Sequence, residues 1–295
     1  MGTAIDVELW SADPAAGQTA IDAVMDEMHR IDRLMSPYKE DSELSMINRE
    51  AARCPVKVSK EMLRLLESAQ HFSELSNGAF DITYAAVGRL FDYRLRIRPS
   101  EAQLLEARAA VGYRYLQLDR QAGTVQFTKP GMCIDLGGFA KGHAVDNATR
   151  LLRQRGIHHA NVSAGGDSRV IGDRRGRPWM IGVRDPRDVG RIVAMLPLVD
   201  TSISTSGDYE RYFDEDGVRY HHLIDPATGK SPDQLRSVTI LAEDGLTSEA
   251  YSKMVFVLGL EQGLRLINAQ QGIDAVLVDA AGKLHYSSGM LNPAG

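Results

Sequence analysis

Apolar residues recur along this chain in two rhythms, one with the period of a strand and one with the period of a helix. Spacings of three and four residues predict helices at residues 16–35, 41–47, 60–75, 142–155, 247–259 and 261–270. Alternating or short continuous apolar segments predict strands at residues 4–9, 117–129 (as a hairpin), 161–172, 180–184, 192–198, 220–224, 238–241, 275–278 and 284–286. Because strands occur in both halves without a steady strand–helix–strand rhythm, we expect an α+β fold with mixed or antiparallel sheets.

Composition narrows the class of protein. The chain has 295 residues, of which 43% are apolar and 25% charged, as in a soluble globular protein. This length predicts a single domain over residues 1–295, with two lobes sharing one cleft as the alternative. The net charge of -5 gives no indication of nucleic acid or an anionic membrane as partner, and no segment approaches the roughly 18 apolar residues of a membrane span. Cys54 and Cys133 lack metal-type spacing and are expected to be buried free thiols, with one disulfide as the alternative.

Residues 202–229 gather several chemically active side chains. We expect a strand that ends in a hydroxyl-rich turn at 204–207, containing Ser204 and Thr205, and then a hairpin that ends at His221 and His222. A histidine is a suitable general base near neutral pH, and neighbouring residues of a strand point to opposite faces, so only one of the pair should face a site. We choose His222 first and His221 second, while Asp225 is expected to fix the turn that follows.

Two glycine-containing segments suggest sites for an anion or a flat ligand. Residues 135–142 read D-L-G-G-F-A-K-G and connect a strand to a helix, where backbone N–H groups and Lys141 could bind a phosphate. A tight structural turn explains the same segment equally well. In residues 161–167, the pair Gly165-Gly166 is more often a bulge or hairpin than a surface for a flat ligand.

Taken together, these segments resemble the ApbE family, the FAD:protein FMN transferases. The resemblance covers nearly the whole chain in the family's order, through residues 1–3, 35–36, 42–43, Asn48, 78–81, 135–142, 165–167, 204–209 and 221–229. It implies a T-fold-like architecture with helices and sheets around a flavin cleft. It also implies that FMN passes from FAD to a threonine or serine hydroxyl of an acceptor protein through a phosphoester bond, with release of AMP. FAD and that acceptor protein are therefore the expected partners.

The resemblance also assigns candidate roles to residues. The cofactor-binding positions are expected to be Met35, Gly78, Ala79, Phe80, Asp135, Lys141, Ser204, Thr205 and Ile224. A magnesium ion at the diphosphate is implied, with the main chain of Gly138 and two side chains near the start of the 247–259 helix as its ligands. Magnesium prefers hard oxygen ligands, so Glu249 and Ser252 are the candidates here.

This chain departs from the family at two of those positions. Glu249 replaces the usual Asp ligand and Lys253 replaces the usual Thr ligand. Because these residues are four apart, they share one face of the predicted helix, and a protonated lysine cannot ligate a metal. Either Lys253 supplies the charge of the missing metal and acts as a catalytic group, or Ser252 helps to complete an altered magnesium site.

Three functions follow from these alternatives. The first is the flavin transfer itself, the second is hydrolysis of FAD to FMN and AMP, and the third is FAD binding without turnover because of the altered metal positions. Many members of the family are exported lipoproteins, so a location on the outer side of the cell envelope is expected if a leader precedes Met1, and a cytoplasmic one otherwise.

Overall fold

A computed structural model describes residues 3–188 and 190–291. Within these residues, the helices α1–α8 are Pro14–Met35, Glu43–Glu50, Lys60–Leu75, Ala85–Gly88, Glu101–Arg108, Ala140–Gln154, Gly245–Asn268 and Ser288–Leu291. The strands β1–β14 are Ile5–Leu9, Val56–Lys57, Leu116–Asp119, Thr124–Phe127, Ala160–Ala164, Asp167–Ile171, Trp179–Arg184, Ile192–Leu198, Ser202–Gly207, Tyr212–Glu215, Val218–His221, Leu235–Ala242, Asp274–Asp279 and Leu284–Tyr286. The pairs of named strands within the described ranges are antiparallel, which confirms the α+β prediction.

The chain divides into two compact units. The first unit comprises Met1–Asp32, Gly137–Tyr209 and Gln234–Gly295, and the second comprises Arg33–Leu136 and Glu210–Asp233. Met1 and Gly2, which take part in the family resemblance, lie outside the described residues.

A seven-stranded sheet with the order β1-β5-β6-β9-β12-β13-β14 forms the centre of the first unit. Helix α7 packs against β9, β12 and β13, and α6 packs against β5 and β6. Strand β12 is buried along most of its length because it pairs with β9 on one side and β13 on the other. Side chains that point from these strands toward α6 and α7 are therefore removed from water, whether they are apolar or polar.

Three sequence-based boundaries in the first unit change in the structure. The predicted strand 161–172 is a hairpin of β5 and β6, because Gly165 and Gly166 adopt φ angles of 59° and 92° that glycine tolerates best. The predicted turn at 204–207 is wrong, since these residues continue β9 and pair with β12. The two helices predicted at 247–259 and 261–270 are the two parts of α7, which is interrupted where Gly259 has φ 76° and ψ -175°.

The second unit contains the sheet β2-β4-β3 and the hairpin β10-β11, together with α2–α5. Ser59 caps α3 by accepting a hydrogen bond from the Met62 N–H, and Asn77 and Gly78 reverse the chain after its other end with positive φ. Strand β11 ends at His221, three residues earlier than expected. Helix α5 was missed, although Ser100 and Gln103 form a capping box at its start.

Both cysteines are free, which agrees with the preferred sequence interpretation. The expectation that both are buried is wrong for Cys54, which is exposed, while Cys133 is half-buried. Among the described residues, we find no helix with the length and apolar character required to cross a membrane.

Candidate functional site

Two lysines and two carboxylates meet inside the first unit. The Lys141 ammonium contacts the Asp167 carboxylate directly and lies 3.2 Å from Glu249 Oε1. Lys253 Nζ lies 3.3 Å from that same Glu249 oxygen. We call Lys141, Asp167, Glu249 and Lys253 the lysine–carboxylate cluster. Its two positive and two negative charges cancel, so none of the four is buried without compensation.

The fold brings the four members from three elements. Lys141 is in the first turn of α6, and Asp167 opens β6 directly after the two-glycine turn. Glu249 and Lys253 are one helical turn apart on α7, so they share a face of that helix, as predicted. Members that are distant in sequence therefore meet because α6 and α7 both pack on the sheet that contains β6.

A close approach of α6 and α7 seats Glu249 at the start of α6. A Cβ added at Gly142 would collide with the backbone carbonyl of Gly245, so only glycine fits there. The Gly142 N–H donates a hydrogen bond of 2.7 Å to Glu249 Oε2, which places a carboxylate at a helix N-terminus, where negative charge is favoured. This N–H, which the sequence suggested as a phosphate donor, already has an anionic partner from the protein.

The cluster is polarised between its interior and its exposed side. The Glu249 and Asp167 side chains are 0% and 2% exposed, whereas those of Lys141 and Lys253 are 26% and 16% exposed. The lysines are thus the members of the cluster whose side chains reach solvent, whereas the carboxylates do not. The side of the cluster nearer to solvent is formed by the lysine side chains, although its total charge is zero.

Burial and neighbouring charges shift the pKa of the two ammonium groups in opposite directions. For Lys141, burial disfavours the charged form, but the carboxylates of Asp167 and Glu249 outweigh it and raise the pKa. For Lys253, burial prevails over the attraction of Glu249, and repulsion from Lys141 adds to it, so the pKa is lowered. Lys141 is therefore the more firmly charged of the two.

The carboxylate of Asp167 has a lowered pKa. Burial favours its neutral form, but Lys141 and Lys253 attract the charged form more strongly. The Ser204 hydroxyl adds to this effect by donating a hydrogen bond to Asp167 Oδ1. Asp167 is consequently a stable anion in the folded protein.

Buried hydroxyl groups line the same region between β9 and α7. Ser252 Oγ lies 3.3 Å from Ser204 Oγ and 2.8 Å from Ser206 Oγ, and it donates to the Glu249 carbonyl at 2.8 Å. Strand alternation places Thr205 on the opposite face of β9, where its hydroxyl is 2.9 Å from that of Thr239. The structure thus brings Ser204 to the cluster and leaves Thr205 away from it.

The predicted magnesium ligands do not form an arrangement that suits a divalent cation. Gly138 lies in the turn before α6, the Glu249 carboxylate contacts two ammonium groups, and Ser252 is held among hydroxyls. Magnesium requires oxygen ligands around it, and ammonium groups beside those oxygens would repel it. Within residues 3–188 and 190–291, no group of three or more His, Cys, Asp or Glu side chains is arranged as a metal site.

The two adjacent histidines differ in their surroundings within the second unit. His221 is 2% exposed, and its Nε2 lies 2.8 Å from the Pro232 carbonyl oxygen, so that nitrogen carries the proton. Its backbone N–H donates to Ser231 Oγ at 2.9 Å. His222 is half-buried and its backbone N–H donates to the Arg211 carbonyl at 3.1 Å. His221 therefore has a structural partner for one ring nitrogen, and His222 is the less buried of the two.

Asp225 fixes the turn after these histidines, as predicted. Its Oδ1 accepts from the Ala227 N–H at 2.8 Å, and its Oδ2 accepts from the Thr228 hydroxyl at 2.8 Å. The carbonyl of Asp225 also accepts from the Gly229 N–H at 2.7 Å. Both carboxylate oxygens are thus used within the turn.

The remaining flavin-binding candidates lie in the second unit. Met35, Phe80 and Ile224 are buried, and Ile224 packs with Val87 and Leu104. Gly78, Ala79 and Asp135 are half-buried. All six stay predictions as flavin contacts.

The Asp81 carboxylate holds a local turn of the second unit together. It accepts from the Thr83 N–H at 2.8 Å, the Thr83 hydroxyl at 2.7 Å and the Tyr113 N–H at 2.7 Å. Tyr38 of the same unit is 86% exposed.

Comparison with known proteins agrees with this architecture. The sequence model of the ApbE family matches residues 1–277. The chain belongs to the ApbE family. The chain is 33% identical to a FAD:protein FMN transferase of Treponema pallidum, with 99% of this chain and 86% of the relative covered. It is also 33% identical to the FAD:protein FMN transferase of Vibrio cholerae, over 88% of this chain and 78% of that protein.

Solved structures of the family superpose well on this chain. The ApbE protein of Thermotoga maritima gives a TM-score of 0.90 at 35% identity, covering 98% of this chain and 95% of the other. The flavin transferase ApbE of Vibrio cholerae gives a TM-score of 0.85 at 31% identity, covering 99% and 96%. The helices and antiparallel strands of this ApbE-family chain thus follow the architecture of its relatives.

Sequence reasoning about this ApbE-family chain missed one central residue. Asp167 was read only as part of a glycine-rich turn, yet it is the direct partner of Lys141 and accepts from Ser204. A signal was available, because a buried lysine needs a carboxylate partner and Asp167 follows a turn that ends a buried strand. Ser206, which was expected in a turn, is the second hydroxyl that contacts Ser252.

Proposed function

We propose that this chain transfers FMN from FAD to a threonine or serine hydroxyl of an acceptor protein. The observation that carries the proposal is the match over nearly the whole chain to relatives named FAD:protein FMN transferase. The two lysines on the solvent side of the lysine–carboxylate cluster support it, because the reacting part of FAD is an anionic diphosphate.

The reaction exchanges the phosphoanhydride bond of the FAD diphosphate for a phosphoester bond to the acceptor. The acceptor hydroxyl oxygen attacks the phosphorus of the FMN half, the bond between that phosphorus and the bridging oxygen breaks, and AMP leaves with the bridging oxygen. Charge on the phosphoryl oxygens must be neutralised during this displacement. Lys141 suits that role because its side chain is partly exposed and its raised pKa keeps it protonated.

The acceptor hydroxyl must also lose its proton. We assign that role to His222, since an imidazole titrates near neutral pH and His221 has its Nε2 hydrogen bonded to Pro232. His221 acts instead as a structural residue at the end of β11. This assignment predicts different effects for substitution of the two neighbours.

An acceptor domain that carries a threonine, incubated with FAD and the enzyme, tests the proposal. Mass spectrometry should show FMN attached to the acceptor, together with free AMP. Free FMN and AMP with an unmodified acceptor would point to hydrolysis instead, and intact bound FAD would point to a binding protein. Either result would refute the proposed transfer.

Variants of three histidines sharpen the same experiment. His222→Ala should lower the rate of transfer by roughly 10²–10⁴-fold, the usual contribution of a general base, while the affinity for FAD stays the same. His71→Ala is the matched control, because His71 is exposed on α3 of the same unit, and its rate should not change. His221→Ala should reduce thermal stability. Equal rates for His222→Ala and the His71 control would exclude His222 as the base.

A further inference from the structure

We propose that the Lys253 ammonium is a built-in cation for the diphosphate of FAD, so that this chain binds FAD without a divalent metal at Glu249 and Ser252. The inference rests on the proposed function, because it takes FAD as the ligand. It concerns the one place where the chain departs from the metal ligands that its family resemblance implies.

The position of Lys253 is fixed by its partner. Its Nζ lies 3.3 Å from Glu249 Oε1 across one turn of α7, and Glu249 is held in turn by the Gly142 N–H and by Lys141. Because the Glu249 side chain is fully buried, water cannot replace Lys253 as the partner of its carboxylate. The Lys253 ammonium therefore lies beside the Glu249 carboxylate, in a place where a metal ion bound by that carboxylate would otherwise be expected.

The direction of exposure shows which kind of ligand the cluster can accept. The lysine side chains retain 26% and 16% exposure, whereas the carboxylates retain 2% and 0%. A metal ion would have to reach the inner, anionic side past two ammonium groups of like charge. An anion that approaches from solvent meets the lysine side chains first, and the carboxylates hold their ammonium groups in position.

The two lysines differ in their contacts with the carboxylates of the cluster. Lys141 contacts both carboxylates, whereas the contact of Lys253 with the cluster is to Glu249 alone. Loss of Lys253 therefore leaves Lys141 paired and in place, so a substitution at 253 removes one cation without removing the other.

Titration calorimetry with FAD tests the proposal directly. The wild-type protein, first treated with EDTA, should bind FAD with the same Kd whether EDTA or excess Mg²⁺ is present. Lys253→Met should weaken binding by roughly tenfold or more, as expected for loss of one charge-assisted hydrogen bond. Lys283→Met is the matched control, since Lys283 is exposed in the same unit and its loss makes the same change in net charge.

A second variant shows whether a metal can replace the lysine. Glu249→Asp with Lys253→Thr restores the residue types that the resemblance implies for a metal site, and FAD binding by this variant should become stronger when Mg²⁺ is added. Circular dichroism and thermal unfolding establish that each variant is folded before titration.

The outcomes separate the inference from the function. FAD binding by the wild type that is lost in EDTA and restored by Mg²⁺ would overturn the inference and leave the proposed function in place. Equal affinity of Lys253→Met and the Lys283→Met control would also overturn it. Absence of FAD binding under both conditions would refute both proposals.

Discussion

The coupling between Glu249 and Lys253 gives the sharpest test of the lysine–carboxylate cluster. Replacing Lys253 by Met removes one cation from a carboxylate that is fully buried. Loss of one partner of a buried ion pair costs about 3–5 kcal/mol, chiefly because the other charge is left uncompensated. Glu249 retains Lys141 at 3.2 Å and the Gly142 N–H at 2.7 Å, so we expect the lower end of that range, about 3 kcal/mol.

A second substitution separates the interaction from the cost of each change. Glu249→Gln alone should lower the free energy of unfolding by about 2 kcal/mol, because Lys141 keeps its contact with Asp167 and the Lys253 side chain is partly exposed to water. In the double variant neither residue carries a charge. Its loss of unfolding free energy should therefore be about 2 kcal/mol smaller than the sum of the losses of the two single variants.

Unfolding in urea, followed by tryptophan fluorescence, measures these losses of unfolding free energy in the first structural unit. Trp10 and Trp179 are the two tryptophans of the chain, and both belong to the first unit, which contains the cluster. Lys283→Met serves as the control and should change the free energy of unfolding by no more than about 0.5 kcal/mol. If the losses of unfolding free energy for Glu249→Gln and Lys253→Met add up to that of the double variant within about 0.5 kcal/mol, the two residues are not coupled. That result would refute this reasoning.

Two further predictions concern the surroundings of the cluster. Gly142→Ala should lower the free energy of unfolding by about 1–3 kcal/mol in the same urea assay, because the new methyl group would collide with the Gly245 carbonyl; an unchanged midpoint would show that α6 and α7 can separate at no cost. The lowered pKa of Asp167 means that its charge stabilises the fold above the usual aspartate pKa and that this contribution is lost as pH falls through the lowered value. Asp167→Asn should therefore reduce stability at neutral pH and flatten the loss of stability from about pH 5 downward, whereas a parallel pH profile for variant and wild type would contradict the assignment.

Much of the fold was available from local patterns. Helix α3 begins after Ser59 and ends at Leu75, shortly before Asn77-Gly78, as its capping signals predict, because those signals depend on hydrogen bonds within a few residues. Helix α6 was predicted within two residues at its start and one at its end. Helix α5 was missed, since Leu104 is its one buried residue and the pattern of apolar positions is correspondingly weak.

The errors arose where local chemistry and strand pairing disagree. Three serine and threonine residues followed by Gly207 look like a turn, since small polar residues favour turns. In the structure they lie in β9, between β12 and β6, and their hydroxyls bond to Asp167, Ser252 and Thr239. Partners that are distant in the sequence satisfy these polar groups, and no local pattern reveals those partners.

The sequence by itself determined the family, most element positions and the departure at Glu249 and Lys253, because each of these is written in residue types and short spacings. Only the tertiary structure decided that Asp167 joins Lys141, that Glu249 accepts the Gly142 N–H, and that the lysines are the more exposed members of the cluster. The physical reason is that a buried charge is stabilised by whichever opposite charges the packing of α6, α7 and the sheet brings within contact, and that packing depends on residues throughout the unit.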